Sequence, residues 1–211
     1  MRVGVLGSGD VAKTLGAGFM KHGHEVTMGT RHPEKLQDWS TKGTGAQVAS
    51  FSEAAKFGQL VVLAVSGGAA AEALRSAGTA NLDGKTVIDV TNPIAGGPVQ
   101  GVLKFFTTLE DSLMERLQKE FPAAQFVKAF SCVGASSMVN PHFNGGPPTM
   151  FICGNDDHAK QTVKGILYQF GWDTEDMGGV EAARAIEPLA ILWCIPGFLR
   201  NDWVHALKML R

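Results

Sequence analysis

The sequence predicts an α/β protein built on a doubly wound, mostly parallel sheet, and three observations carry that prediction. Short apolar runs rich in β-branched residues alternate with segments of helical spacing along most of the chain. One run, LVVLAV at 60–65, is apolar throughout, as a strand buried on both faces must be. A glycine-rich turn, Gly7-Ser8-Gly9, stands directly between the first such run and the first helical segment. Strands joined through helices pair in parallel, and right-handed crossovers carry the helices to both faces of the sheet.

Taken in order, residues 2–6 read as a strand ending at Gly7. Residues 11–22 read as a helix with Val11, Leu15, Gly18 and Phe19 along one face. Residues 25–29 form a second strand, and 33–40 a helix opened by Pro33. A short third strand follows at 46–49, and Ser52 is placed to cap a short helix through Phe57. The fourth strand is 60–65, the next helix 69–77 and the fifth strand 86–90. Residues 92–108, with their prolines and glycines, read as a long loop. A helix over 109–120 leads into a sixth strand at 125–130. A second long loop, 140–149, precedes a strand at 150–153 and a helix at 156–170. The last helical segment starts at 179, breaks at Pro196 and resumes over 201–210.

The expected organisation is a single domain over 1–211: a nucleotide-binding core, 1–153, with a C-terminal helical extension, 154–211, packed on it. A hydrophobic share of 45% with 18% charged residues supports a real core and excludes intrinsic disorder. The net charge of −1 provides no basic field for nucleic acid or a membrane surface. Cys132, Cys153 and Cys194 lack CxxC or metal-ligand spacing and read as reduced, packed thiols. No metal site is expected. The longest apolar run, 188–199, falls short of the roughly 20 residues a membrane span needs. The opening MRVGVLGSGD has no secretory pattern. A soluble, cytoplasmic protein is expected.

The turn Gly7-Ser8-Gly9-Asp10-Val11-Ala12 has the form GxGxxA in the strand-to-helix context of a Rossmann-type dinucleotide site. Gly7 makes the tight turn, Gly9 admits a pyrophosphate to the backbone, and Ala12 lets helix and strand pack closely. The helix N-terminus then offers free N–H groups to the phosphates. An NAD site needs a carboxylate at the tip of the second strand; here the chain reads Thr30-Arg31-His32. A guanidinium there grips a ribose 2′-phosphate, with Thr30 donating a hydrogen bond and Lys35 adding charge. The expected cofactor is NADP(H). Ala64-Val65-Ser66, ending the fourth strand, pass the cofactor on its other side. Asn92, before Pro93, either contacts the nicotinamide ribose or amide or simply caps a turn.

At this point the chain resembles a known family, the NADP oxidoreductases of the coenzyme-F420-dependent type. It is also similar to the soluble NADPH-binding domain of six-transmembrane metalloreductases. GVLGSGDVAKTL, MGTRHPEKL, DVTNP, VKAF, FICGNDDHAK and DMGGVEAARAIEPLAILW carry the resemblance over nearly the whole chain. It implies a Rossmann fold with a short C-terminal helical addition. It implies NADPH held by Gly7, Ser8, Gly9, Asp10, Val11, Thr30, Arg31 and Lys35, with Ala64 and Val65 under the cofactor. Asn92 and Pro93 would lie near its nicotinamide end. Hydride would pass to a flavin or deazaflavin ring (F420, FMN or FAD). The loop after VKAF, containing Ser131, Val133 and Gly134, would help to hold that ring. The F420 enzymes tend to carry histidine at the place of Ser131 and the metalloreductases asparagine. The metalloreductases also tend to have a tryptophan where this chain has Ser136 and Ser137, and their membrane-spanning half has no counterpart among these residues.

Hydride transfer between two rings needs orientation and dryness more than an acid or base, so no catalytic side chain is assigned. His22, His24, His158 and His205 read as surface residues; His142, in the 140–149 loop, is the one histidine singled out as a substrate-site group. Two further functions fit the same residues: direct reduction of a small imine, keto compound or metal chelate, and an NADPH-sensing module that binds without turnover. The partner expected is a small redox molecule. The apolar PLAILWCIPGFL run points to a homodimer.

Overall fold

The computed structural model describes residues 1–41 and 45–211. The chain begins with β1 (Arg2–Leu6), α1 (Asp10–Lys21) and β2 (Glu25–Gly29). A single tight turn of helix, Pro33–Leu36, runs into α2 (Gln37–Thr41), so the segment opened by Pro33 is split between two helix types. There follow β3 (Gln47–Ala49), α3 (Phe51–Phe57), β4 (Leu60–Leu63), α4 (Ala70–Ala77) and β5 (Thr86–Asp89). Next come β6 (Ile94–Val99), β7 (Val102–Phe105), α5 (Leu113–Glu120) and β8 (Gln125–Lys128). The last third holds β9 (Thr149–Ile152), α6 (Asp157–Gln169), β10 (Asp173–Asp176), α7 (Ala183–Ile186) and α8 (Leu189–Arg200).

Six strands form one sheet in the order β3-β2-β1-β4-β5-β8, and each pairing is parallel. The chain winds outward from β1 in both directions. The strand order therefore reverses between β1 and β4, and a crevice opens there at the carboxyl ends of the strands. Alternate side chains of β4 serve opposite faces: Leu60 and Val62 join the core under α1 and α6, Val61 and Leu63 the core under α3, α4 and α5. This explains the uninterrupted apolar run in the sequence.

Several local expectations change. Ser50, not Ser52, caps α3: its hydroxyl accepts from the Glu53 N–H, and the Glu53 carboxylate accepts from the Ser50 N–H. Such a reciprocal cap contributes about 1 kcal/mol. Ser52 lies inside the helix. Helix α5 starts at Leu113 because Ser112 caps it by accepting from the Glu115 N–H. The expected loop over 92–108 contains a hairpin, β6–β7. Gln100 (φ 51°) and Gly101 (φ 83°) both take positive φ, the two-residue turn whose twist suits a hairpin. Its strands lack period-2 patterning, and the register shifts twice, between Ile94 and Gly96 and between Gly96 and Val99.

The C-terminal segment is less helical than expected. Strand β10 pairs with β9 in a separate two-stranded sheet. Helix α8 continues through Pro196 and ends at Asn201, whose φ of 55° is left-handed. Residues 201–211 form no second helix. They turn back, and the Trp193 indole N–H donates to the His205 carbonyl while the Thr149 N–H donates to that of Leu207. His205 stacks on Trp193, and His22 lies against Phe170, so neither is the free surface residue expected.

The helical stretch Val180–Arg200 is long and apolar enough, by length and composition, to cross a membrane, and 33% of its apolar window is buried within the chain. Glu187, in the middle of that stretch, ties it to the sheet. The Lys128 ammonium at the end of β8 donates to the Thr91 carbonyl (2.9 Å) and forms ion pairs with Asp89 Oδ2 (2.7 Å) and Glu187 Oε1 (2.9 Å). Glu187 also accepts from the Leu113 and Met114 N–H groups, each at 3.0 Å, at the N-terminus of α5. Burial alone would push the Lys128 ammonium down; the two carboxylates override this and hold it above the usual lysine range.

Candidate nucleotide-binding site

The crevice between β1 and β4 is a groove of about 320 Å³. Eight of the residues singled out in the sequence line it: Gly7, Ser8, Gly9, Thr30, Arg31, Lys35, Ala64 and Val65. All but Lys35 come from three strand ends that the parallel order sets side by side. Gly7 has a φ of 147°, and a Cβ there would overlap the Ala64 carbonyl oxygen, so only glycine lets the chain turn this close to β4. Gly9 is different. It caps α1 with no side-chain bond, and a Cβ there would meet open space. The open side of Gly9 and the unpaired N–H groups of the first turn leave room for an anion against the backbone. The residues present therefore fit the pyrophosphate of a dinucleotide.

The tip of β2 carries the charge. Thr30 is buried, and its hydroxyl oxygen accepts from the His32 N–H at 3.0 Å, leaving the hydroxyl proton free to donate. Arg31 and Lys35 are the cations of the groove wall. Arg31 is not free: its Nη1 donates to Glu72 Oε1 on α4 at 2.9 Å. His32 also lines the groove, with its Nδ1 at 3.1 Å from Glu34 Oε1.

A second group lies at the carboxyl ends of β5 and β8. Asn92 Nδ2 donates to the Ser131 carbonyl at 3.1 Å, while Asn92 Oδ1 and Ser131 Oγ are buried without a hydrogen-bond partner. Gly67 joins this group to the groove: it follows Ser66, a lining residue, and a Cβ on it would overlap the Asn92 carbonyl oxygen. Phe130 turns the chain into the 131–137 loop with a φ of 63°, a conformation a buried aromatic takes only under tertiary constraint. Val133 belongs to the core, and Gly134 lies against the Trp193 ring. Cys132 is buried, and burial pushes its thiol up to about 11, so it carries no thiolate at neutral pH.

Asp10 and Val11 stand in the first turn of α1, beside the groove and outside its lining, and Pro93 follows Asn92. His142 is exposed and outside the groove; its neighbours Asn140 and Pro141 pack at Phe170 and Gly171, beyond the far end of α1. Phe51, Ala69 and Ala73 complete the lining and were not legible in sequence, because small and apolar residues give no chemical signal. The Asp89–Lys128–Glu187 triad was also missed. The available signal was a charge closing each of two otherwise uncharged strands, TVID and QFVK.

The strand order and the groove define a Rossmann-type protein of the kind that binds dinucleotides. The family described as NADP oxidoreductase coenzyme F420-dependent matches residues 2–93. A protein from Arthrobacter sp. FB24, assigned as an F420-dependent NADP reductase, is 33% identical, with 99% of each chain covered and a TM-score of 0.92. The chain belongs to this family of NADP-dependent oxidoreductases. It is also 31% identical to metalloreductase STEAP3 of Rattus norvegicus over 94% of its length. It spans about two fifths (39%) of that curated relative. A reductive aminase from Aspergillus terreus, solved with NADPH and ethyl levulinate, shares the fold at a TM-score of 0.69 and 18% identity; the match covers 95% of this chain and 62% of the aminase.

Proposed function

We propose that the protein transfers hydride between NADP(H) and a flavin or deazaflavin ring of the F420 type. The observation that carries this reading is that two polar groups stand beyond the carboxyl ends of strands of the same parallel sheet. In one, Thr30 and Arg31 suit a 2′-phosphate. In the other, Asn92 Oδ1 and Ser131 Oγ are buried and unsatisfied, a cost of about 1–3 kcal/mol each that a polar ring edge would relieve. NADPH, when bound, supplies the hydride. The chain contributes placement: the α1 N-terminus and Gly9 hold the pyrophosphate, and Ala64 and Val65 form an apolar floor. The Asn92–Ser131 bond joins the two strand ends at which the acceptor ring would lie.

The test is NADPH oxidation by the purified protein, offered F420, FMN, FAD and a ferric chelate in turn. Turnover with F420 or a flavin is expected. Turnover with the chelate alone would replace the ring with a metal complex as acceptor. Tight NADPH binding with no turnover would make the chain a sensing module.

We further propose a soluble, cytoplasmic homodimer, without nucleic-acid or membrane partners, joined through α8 and the β6–β7 hairpin. Leu192, Phe198 and Leu199 on α8 and Val99 and Val102 on the hairpin are exposed on adjoining elements. Sedimentation should give twice the chain mass, and Leu192→Glu combined with Leu199→Glu should give the monomer. A wild-type monomer at micromolar concentration would refute this.

A further inference from the structure

The guanidinium at the mouth of the groove already has a partner. Arg31 follows β2, and Glu72 stands in the first turn of α4. Their bond at 2.9 Å therefore spans the rim from one wall to the other, with Ala69 and Ala73 lining the groove on the Glu72 side. Both side chains are more than half exposed, at 54% and 63%. A pair this open contributes little to folding stability. It does, however, occupy the Arg31 Nη1 donor that faces the rim.

We infer that Glu72 is a specificity-determining residue, an internal competitor for Arg31 that a ribose 2′-phosphate must displace. This rests on the reading that the groove takes a 2′-phosphorylated dinucleotide. The exchange is chemically matched. A carboxylate brings one negative charge and two acceptor oxygens; a phosphate monoester brings up to two charges and three oxygens, so it wins the guanidinium. Glu72 loses little when released, because the N-terminal turn of α4 favours a negative charge there. A nucleotide lacking the 2′-phosphate has nothing with which to displace the carboxylate. Glu72 thus lowers affinity for the phosphorylated ligand slightly and keeps Arg31 paired when that ligand is absent.

The experiment compares adenosine 2′,5′-bisphosphate with 5′-AMP, which differs only in lacking the 2′-phosphate, by calorimetric titration of the full chain. Glu72→Gln keeps the size of the side chain and removes its charge. It should tighten 2′,5′-bisphosphate binding about 1.5- to 5-fold, the range expected of an exposed ion pair, and leave 5′-AMP unchanged. In the Arg31→Ala background the same change should have no effect. A full-sized gain there would assign the effect to general repulsion of the phosphate and overturn the proposal. So would unchanged or weaker bisphosphate binding in Glu72→Gln alone, the latter making Glu72 a support for Arg31. If the wild-type protein fails to distinguish the two nucleotides, it is the 2′-phosphate reading of the groove that falls.

Discussion

Lys128→Met is expected to lower the unfolding free energy by about 3–5 kcal/mol, the cost of removing one partner from a buried ion pair. The Lys128 side chain is 0% exposed, and its ammonium is held by ion pairs to Asp89 and Glu187 and by a hydrogen bond to the Thr91 carbonyl. Methionine fills the volume but leaves two buried carboxylates facing each other without a cation. The N-terminus of α5 offsets part of the Glu187 charge, through the Leu113 and Met114 N–H groups, but not that of Asp89. At this chain length the loss corresponds to a fall in Tm of about 6–20 °C. Urea unfolding checks it, and a change under about 1 kcal/mol would show that the triad is not the clamp described above. Adding Asp89→Asn and Glu187→Gln to Lys128→Met should recover much of the loss, since a neutral, well-packed set costs far less than a broken pair. The pH dependence has a definite sign. The folded state raises the lysine above its unfolded value of about 10.4, so the contribution is complete below that pH and disappears as pH climbs through the higher folded value.

Arg31→Ala should weaken NADPH by about tenfold to a hundredfold and NADH far less. A charge-assisted hydrogen bond is worth roughly 1.5–3 kcal/mol, and NADH has no 2′-phosphate with which to make it. Arg31 and Lys35 are the cations in the lining, and Lys35, a point charge on a flexible stem, does not replace a planar fork. Paired titrations of NADPH and NADH measure the ratio. Equal losses for both would remove Arg31 from any role in reading the phosphate.

The class of fold was readable because its evidence is local. LVVLAV announces a strand covered on both sides, and the helix after Gly7-Ser8-Gly9 follows at the spacing a phosphate turn requires. Seven of the eight lining residues that were anticipated stand at or just beyond strand ends, where the parallel order brings them together, and Lys35 stands in the helical turn that follows β2. The β6–β7 hairpin was not readable. Its turn is Gln100-Gly101 rather than Asn-Gly, and its strands do not alternate in polarity. The path of the tail was hidden for a related reason: Pro196 reads as a helix breaker, yet α8 passes it while packed against Trp203 through Gly197.

By itself, then, the sequence determined the alternation of strands and helices, the phosphate turn and the identity of the charge at the tip of β2. These follow from periods of two and 3.6 residues and from the conformational freedom of single glycines, all of which operate within a few positions. Only the tertiary structure decided the partners of charges. Asp89, Lys128 and Glu187 become a clamp, and Glu72 becomes the partner of Arg31, through contacts between segments far apart in the chain. Coulomb energy depends on distance in space and on burial, and sequence spacing reports neither.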